Sequence, residues 1–583
     1  MRPIFWILLL ALLLRLWGID YGFPLFLIND ETPHVYGALK MIELKTLIPA
    51  WHEDEFKKVL YYPPLLSYFF LLVLSPVIGV HYLLSGAPPL TDYKLTLALD
   101  PSFIWVAARV WTALIGIADI FVIYLLTRRL FQSERAGVFA AFFLGLSFWH
   151  LQLSHNARHW LPAAFLLSIV WYLSLRIWEG GVLRKHYATA GLVAGLAAGG
   201  VNTAAAVGLI PPILIGFLGG GAGRLWLRLK GREVLILLAS FSAAAALFLA
   251  LYPFGLTRAE GATSAGTDIG ARFALLGGKS IPGWLDFVGE YITALWKFEA
   301  PLFLAALLGM TLLFYGRRKE RIWALAATGY TIIFFTLLYL FDDFTSRGLI
   351  FVLPIFAVFA GYATDYIWKK VRNMEIKKSS PKFSHFLIFL ASFFFFLLLF
   401  GWQIAVDLRY QTLLARKDTR LVARDWIFEN IPAGARVLMD SQYLRLPATK
   451  EAIGEVIAVD PRSLRAADRA LLALPEERQP KPAYHLLNLN LIAPAILEEL
   501  LTSPTFLAKG KFDYIVVEYA HQEAIQSGIE RLFPSATLLK RFTPWRTPRP
   551  IAYDGSGKID GISITKLFQL ERFGLFVEIY KLL

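Results

Sequence analysis

The stretch IFWILLLALLLRLWGIDYGFPLFLINDE, residues 4–31, places an apolar segment shortly before two adjacent carboxylates, Asp30 and Glu31. The segment 4–17 predicts a membrane helix, and no small-residue cleavage site follows it, so we interpret it as a retained anchor rather than a signal peptide. Charged groups at the lip of a membrane domain are costly to desolvate and by default mark a working site. The stretch therefore predicts chemistry at a membrane surface.

The composition of the whole chain is that of a membrane protein. Of 583 residues, 57% are hydrophobic and 17% are charged, and the mean hydropathy is +0.54, whereas soluble domains carry roughly a quarter charged residues. The chain has no cysteine, which excludes disulfides, thiolate metal sites and cysteine nucleophiles. An integral protein of the plasma membrane is therefore expected.

The basic residues predict the orientation of the chain. They gather in short loops at 128–135, 184–185, 224–232, 317–321 and 369–378, and the positive-inside rule places these loops in the cytoplasm. The net charge of +14 thus has a topological explanation, and no nucleic-acid partner is expected. Apolar segments form pairs that leave and return between the loops: 136–150 with 161–178, 188–203 with 205–219, 234–252 with 301–315, and 322–341 with 349–368.

Parity decides how the first part of the chain crosses the membrane. The N-terminus is cytoplasmic and three apolar stretches precede the first basic loop, 4–17, 65–84 and 104–127, of which only an even number can cross. The stretch 65–84 contains Pro76 and Gly79, and we assign it to the interface. A last span at 385–404 then places the C-terminus outside, which predicts an α-helical polytopic protein of about eleven transmembrane helices.

Four regions of this topology lie on the outer side of the membrane. They are the first loop, 19–103; the turn 150–159 between two spans; the glycine-rich loop 252–300, which has the composition of a flexible lid; and the segment 341–347. Acidic, basic and imidazole groups are therefore expected on one face.

The chain changes character after the last span. The segment 418–430 predicts a capped amphipathic helix, and 436–440, 512–518 and 575–580 predict strands. We expect a transmembrane domain at 1–404 and an extracytoplasmic soluble α/β domain at 405–583. The sequence contains no Walker loop, dinucleotide fingerprint or metalloprotease helix, so a pump with its own nucleotide domain is not expected.

Several motifs in this order resemble the GT-C membrane glycosyltransferases, in particular the branch of protein O-mannosyltransferases and the lipid A aminoarabinose transferase. The resemblance covers roughly residues 1–370. It is carried by the Asp30-Glu31 pair, YYPPLLSY (61–68), Ala108-Arg109, TRRLF (127–131) and SHNAR (154–158).

This resemblance implies an enzyme with a GT-C fold that moves a sugar from a polyprenyl-phosphate donor to an extracytoplasmic acceptor, which is a protein, a lipid or an envelope glycan. Direct displacement would invert the anomeric carbon. A phosphate leaves as an anion without needing a proton, so one carboxylate can serve as the base. We assign Asp30 as that base, with Glu31 orienting the acceptor or a bound ion.

The donor phosphate needs cationic partners, and Arg158 and Arg347 are predicted to bind it. Three positions depart from the pattern of the resembling family, namely His159, Tyr62 and Asn202. Arg272, Lys279 or Tyr62 is then expected to replace the missing donor contacts. His34, His155, His159 and Asp343 are further candidates for acceptor or sugar contacts. No cofactor is certain, although Asp30 and His34 could share a divalent cation on one helix face.

Alternatives remain open at the level of residues and of function. Asp30 and Glu31 could cap the helix that Thr32-Pro33 opens, Arg158 could anchor the chain at the interface, and Arg347 could pair with Asp343. A lipid-linked sugar transporter would need charges along a path through the membrane, for which Asp119 is the clearest candidate. A non-catalytic scaffold of the cell envelope is the third hypothesis for the function.

Overall fold

The computed structural model divides the chain into two compact units, each described here by itself. One comprises residues 1–17, 30–76 and 107–408, and the other comprises 18–29, 77–106 and 409–583. The structure describes residues 2–28, 31–60, 62–180, 184–201, 207–220, 231–253, 281–341, 346–376, 381–459, 465–492, 511–520, 533, 536–547, 549 and 564–582. The boundary predicted between residues 404 and 405 places 18–29 and 77–106 in the transmembrane domain, whereas both segments belong to the second unit here.

The first unit is helical. Three of its helices, Leu65–Leu84, Ser102–Phe131 and Pro381–Leu414, continue into sequence of the second unit. The other helices are Arg2–Leu16, Thr32–Leu44, Glu53–Phe56, Glu134–Gly145, Phe148–Ser154, Trp160–Gly180, Arg184–Ala198, Ile210–Gly220, Arg232–Leu251, Ile281–Phe298, Ala300–Phe314, Arg318–Phe341 and Leu353–Ile376, with 3₁₀ turns at Pro49–His52 and Ser346–Phe351.

Five helices in the described part of the chain are long and apolar enough to cross a membrane. This number rises to seven if the bent pairs Glu134–Gly145 with Phe148–Ser154 and Ile281–Phe298 with Ala300–Phe314 each count as one span. The total of about eleven stays a prediction. Leu65–Leu84, which parity assigned to the interface, is one of the five by length and composition.

Two segments differ from the sequence prediction. The predicted span 136–150 is broken, because Glu134–Gly145 and Phe148–Ser154 meet at an angle of 63°. Residues 150–154, expected in an outer turn, therefore lie in a helix. The loop predicted at 252–300 contains the helix Ile281–Phe298, whose apolar side chains alternate with polar ones at helical spacing, and residues 254–280 lie outside the described part.

Glycines allow close helix contacts within the first unit. A Cβ atom at Gly309 would collide with the backbone carbonyl of Phe359, and one at Gly361 would collide with the backbone of Ala136 and Ala140. The helices Ala300–Phe314, Leu353–Ile376 and Glu134–Gly145 thus pack backbone to backbone, as small residues permit in membrane helices.

The second unit contains a five-stranded sheet of order β2-β1-β3-β5-β4. Its strands are Arg436–Asp440 (β1), His485–Asn488 (β2), Tyr514–Tyr519 (β3), Thr537–Phe542 (β4) and Phe576–Lys581 (β5). β1 pairs in parallel with β2 and β3, and β5 pairs antiparallel with β3 and β4. The helices around it are Leu90–Leu99, Thr419–Asn430, Lys450–Val459, Ala466–Ala473 and Ile564–Leu567, with 3₁₀ turns at Glu476–Arg478 and Leu489–Leu491.

The predicted helix at 418–430 and the three predicted strands are confirmed within one or two residues. Asp418 is the N-cap of Thr419–Asn430, and its side chain accepts a hydrogen bond from the Arg420 amide. The sequence analysis missed β2 and β4.

The carboxyl ends of β1 and β3, where open α/β sheets usually bind ligands, are occupied by the chain's own Glu518. This buried carboxylate accepts hydrogen bonds from the Ser441 hydroxyl, the amides of Tyr443 and Leu444, and the Arg420 guanidinium. The arrangement ties β1, β3 and the helix Thr419–Asn430 together.

Candidate functional site

The Glu31 side chain is held by a buried bidentate ion pair. Its two carboxylate oxygens each accept a hydrogen bond from Arg109, Oε1 from Nε and Oε2 from Nη2, both at 2.8 Å. Oε1 also accepts a hydrogen bond from the Ala157 amide at 2.7 Å. Both side chains of the pair are 1% exposed. Glu31 thus joins the start of the helix Thr32–Leu44 to the helix Ser102–Phe131 and to the turn after Ser154.

The capping alternative for Glu31 is wrong. Glu31 is the N-cap residue of the helix Thr32–Leu44, and Pro33 lies in the first turn as expected, but the Glu31 side chain makes no capping hydrogen bond. Its carboxylate points to Arg109 instead. Asp30 lies outside the described residues, and its role as a base stays a prediction. Arg109 had no assigned role in the sequence analysis, although the Ala108-Arg109 motif contained it.

Two buried histidines and a half-buried tyrosine form a cluster. His34 Nε2 lies 2.8 Å from His159 Nδ1, and the Tyr62 ring contacts both imidazoles, with centroid distances of 5.2 Å to His34 and 4.3 Å to His159. Burial lowers the pKa of His34 to about 3. Burial, His34 and neighbouring cations lower the pKa of His159 well below its usual value. Both imidazoles are therefore neutral at pH 7.

The departures His159 and Tyr62, which are far apart in sequence, thus contact each other. His34 Nδ1 is buried and has no hydrogen-bond partner among the described residues. Among the residues that the structure describes, no three His, Asp or Glu side chains are placed to hold a metal ion together. His34 could offer Nδ1 as a ligand; a cation shared with Asp30 stays a prediction, because Asp30 is not described.

Arg158 and Arg347 come together at the same place. Arg158 is 4% exposed, and both its burial and the charge of Arg347 lower its pKa well below the usual value. Both guanidinium groups also lower the pKa of His159. The turn that carries Arg347, Ser346–Phe351, contacts the helix Trp160–Gly180, which begins two residues after Arg158; the ring centroids of Phe351 and Trp160 are 5.8 Å apart. We call Arg158, Arg347, His159, His34 and Tyr62 the anion pocket, after the role that we propose for them.

The other predicted contacts lie elsewhere or outside the described residues. His155 is 3% exposed and its ring nitrogens lie 2.9 Å from the Leu151 carbonyl and 3.2 Å from the Trp17 carbonyl. Burial lowers its pKa to about 4. It supports the backbone of the turn, and its contact to a sugar stays a prediction. Arg272, Asp343 and Asn202 are not described.

Asp119, the candidate charge of a transport path, has a structural partner. Its Oδ2 lies 3.2 Å from His150 Nε2, and His150 Nδ1 lies 2.8 Å from Arg15 Nη2. An arginine can only donate, so Nδ1 accepts and the Nε2 hydrogen is directed at Asp119. All three side chains are fully buried. The role of Arg15 in this network was not apparent from the sequence, where it looked like part of an apolar span.

Residues 87–250 match the profile of the family described as dolichyl-phosphate-mannose-protein mannosyltransferase. The resemblance to the O-mannosyltransferase branch is thus confirmed over this range, which contains Arg109, Arg158 and His159. No protein of curated function matches the sequence.

Solved structures of two membrane glycosyltransferases are distantly similar. The oligosaccharyltransferase AglB of Archaeoglobus fulgidus, in complex with an inhibitory peptide and a dolichol-phosphate, is 14% identical with a TM-score of 0.43, over 88% of this chain and 69% of AglB. ArnT of Cupriavidus metallidurans, bound to undecaprenyl phosphate, is 13% identical with a TM-score of 0.42, over 98% of this chain and 97% of ArnT.

Proposed function

We propose that this chain is a membrane glycosyltransferase that moves a sugar from a polyprenyl-phosphate donor to an acceptor outside the plasma membrane. The convergence of Arg158 and Arg347 beside two neutral imidazoles carries the proposal. Two like charges in a buried site repel each other, and an anion between them relieves that cost. Guanidinium groups match phosphate oxygens in geometry and bind them bidentately.

The family match supports a phosphate-linked sugar as that anion. The profile covers residues 87–250, which include Arg158, and its description names a dolichyl-phosphate-linked mannose. Five to seven helices of the described residues are long and apolar enough to cross a membrane, and lipid beside such helices would accommodate a polyprenyl chain.

In the proposed reaction, an acceptor hydroxyl attacks the anomeric carbon from the side opposite the phosphate. The new bond forms between the acceptor oxygen and that carbon, and the bond from the carbon to the phosphate oxygen breaks, with its electron pair remaining on the phosphate. Asp30 takes the hydroxyl proton. A single direct displacement inverts the anomeric configuration.

The roles of the described residues follow from their charges. Arg158 and Arg347 bind the donor phosphate and stabilise the additional negative charge that develops as the sugar leaves, which is the kind of interaction that lowers a barrier most. Glu31, engaged by Arg109 and the Ala157 amide, fixes the backbone next to Asp30. Its role is thus to position the base, which replaces the expected contact to the acceptor.

The neutral side chains of His34, His159 and Tyr62 contribute shape rather than charge to the anion pocket. Because the pKa of His34 is lowered to about 3, the positive charge of the described pocket comes from the two arginines. Tyr62 adds an aromatic face, against which a sugar ring or an acceptor can pack. The proposed location has the N-terminus in the cytoplasm and residues 405–583 outside.

A transfer assay tests this proposal. Purified protein in lipid vesicles is given a panel of radiolabelled polyprenyl-phosphate sugars and membrane extract as the source of acceptors. Wild type is expected to release polyprenyl phosphate from at least one donor, and Asp30→Asn is expected to lose at least 100-fold in rate, which corresponds to removing a general base. Full activity of Asp30→Asn would remove the base assignment, and no turnover by wild type with any donor would reject the transferase.

A further inference from the structure

The short helix Phe148–Ser154, which we call the inner helix, is bound at its N-terminus by a distant carboxylate. Glu299 Oε1 accepts hydrogen bonds from the Ser147 hydroxyl at 2.8 Å and from the Trp149 amide at 3.0 Å. Glu299 is 1% exposed and lies between the helices Ile281–Phe298 and Ala300–Phe314, where they meet at 115°. A buried carboxyl group is costly unless it is hydrogen-bonded, and here its Oε1 accepts hydrogen bonds from the first turn of a helix, where backbone amides have no partner within the helix.

The side of the inner helix is bound by Arg15. Its Nη2 lies 2.8 Å from His150 Nδ1, its Nε donates to the Ser154 hydroxyl at 3.1 Å, and its Nη1 donates to the Gly145 carbonyl at 3.2 Å. One guanidinium thus contacts the end of the preceding helix and two turns of the inner helix.

The C-terminus of the inner helix leads directly into the anion pocket. The turn that follows contains Ala157, whose amide is bound by Glu31, and then Arg158 and His159. Only eight residues lie between Trp149 and Arg158, and a helix of seven residues is about 10 Å long at 1.5 Å per residue. A shift at the N-terminus of such a short helix moves its other end by a comparable distance.

Resting on the proposed function, we propose that Glu299 is a positioning residue for the anion pocket. By capping the inner helix, it sets the location of Arg158 relative to the donor phosphate. It does not touch the substrate, and its effect passes through Arg158. Arg15 supports the same helix from the side.

A double-mutant cycle distinguishes positioning from general stability. Glu299→Leu removes both hydrogen bonds and is expected to lower kcat/KM for the polyprenyl-phosphate sugar by about 10–100-fold, since misplacement by about 1 Å can cost 100-fold. In an Arg158→Gln background the same change is expected to cost less than about twofold, because the group that it positions is gone. The affinity of each variant for unlabelled polyprenyl phosphate, measured by ligand-induced thermal stabilisation, is expected to follow the same pattern.

Matched variants define the controls. Glu299→Gln keeps the accepting oxygen and is expected to stay within about threefold of wild type. Asp365→Leu removes another buried carboxylate of the first unit, one that accepts a hydrogen bond from Ser133, and its effect is expected to be the same in both backgrounds. If Glu299→Leu does not accumulate, Ser147→Ala replaces it in the cycle; this variant removes the hydrogen bond to Glu299 together with the N-cap bond from the His150 amide.

The outcomes separate this inference from the proposed function. Equal losses for Glu299→Leu in the presence and absence of Arg158, a loss in Glu299→Gln as large as in Glu299→Leu, or unchanged kcat/KM would each overturn the positioning role while the enzyme stays a transferase. Absence of turnover in wild type would reject the proposed function itself.

Discussion

In the proposed function, Arg158 and Arg347 bind the donor phosphate at a cost to the stability of the ligand-free protein. Burial, and after it the charge of Arg347, lowers the pKa of Arg158, so an anion beside the two guanidinium groups would reduce the cost of burying them. The sequence predicts both arginines as ligands of the donor phosphate, and this stays a prediction. It had no basis for their proximity, because 188 positions of chain separate them and only folding brings the two turns together.

Removing one of the two charges is therefore expected to stabilise the protein without ligand and to weaken donor binding. Arg347→Gln should raise the midpoint of heat denaturation of the ligand-free protein in detergent. It should also lower the affinity for polyprenyl phosphate by about 10–100-fold, as loss of a hydrogen bond to a charged group of about 1.5–3 kcal/mol predicts. A lower denaturation midpoint together with unchanged affinity would mean that Arg347 is a structural cation.

His34 makes stability depend on pH. Its pKa is about 3 in the folded protein and 6.5 when exposed, so between these values only the unfolded chain binds the proton. The stabilising effect is complete above pH 6.5 and is lost as the pH falls toward 3, by at most about 1.4 kcal/mol per pH unit.

The variant His34→Phe keeps a ring beside Tyr62 but has no group to titrate. Its denaturation midpoint is expected to fall less steeply than that of wild type between pH 6.5 and pH 4.5. Parallel curves for the two proteins would show that His34 is protonated normally in the folded state.

At the scale of elements, the break before the inner helix is a feature that the hydrophobic pattern of the sequence does not predict. Residues 136–150 are apolar enough to predict one span, and the structure divides them after Gly145. Ser147 begins the new helix by accepting a hydrogen bond from the His150 amide, and Glu299 binds the same turn. A serine cap is visible in a sequence, but a carboxylate that comes from 152 residues away is not.

The strands of the sheet also fall into two groups, those that the sequence predicts and those that it does not. β1, β3 and β5 are apolar runs with buried centres and were predicted. β2 has four residues, and β4 is exposed along most of its length. Their place in the sheet depends on pairing with neighbours rather than on a hydrophobic pattern of their own.

The close contact between the helices Ala300–Phe314 and Leu353–Ile376 predicts a sensitive glycine. Gly309→Ala would push a methyl group against the Phe359 backbone, and overpacking of this kind costs about 1–3 kcal/mol. Gly289 is the matched control, because it is also helical and has open space around its Cβ position. Gly289→Ala is expected to be neutral or stabilising by up to about 1 kcal/mol. Equal denaturation midpoints for the two variants would contradict this packing.

At the scale of the whole molecule, charge patterning predicts sidedness, whereas helix length decides which segments are able to cross. These two criteria disagree at Leu65–Leu84, which parity assigns to the interface and whose 20 residues suffice for a span. The absence of cysteine makes the question accessible, since any introduced thiol is unique.

Single cysteines at three exposed positions report the topology. If Leu65–Leu84 lies in the interface, Ser85→Cys and Glu477→Cys are both labelled by an impermeant thiol reagent applied outside intact cells, and Arg317→Cys is labelled only after lysis. Protection of Ser85→Cys together with labelling of Glu477→Cys would show that this helix crosses and that the span count must change.

The most direct test of the central claim measures release of polyprenyl phosphate by wild type, Arg158→Gln and Arg135→Gln in the same vesicles. Arg135 is a partly exposed arginine that pairs with Asp365 at 3.3 Å and controls for the loss of a positive charge. Wild type and Arg135→Gln are expected to turn over the same donor at similar rates, and Arg158→Gln is expected to lose at least about 10-fold in kcat/KM. Equal turnover by all three proteins would contradict a donor phosphate at the anion pocket.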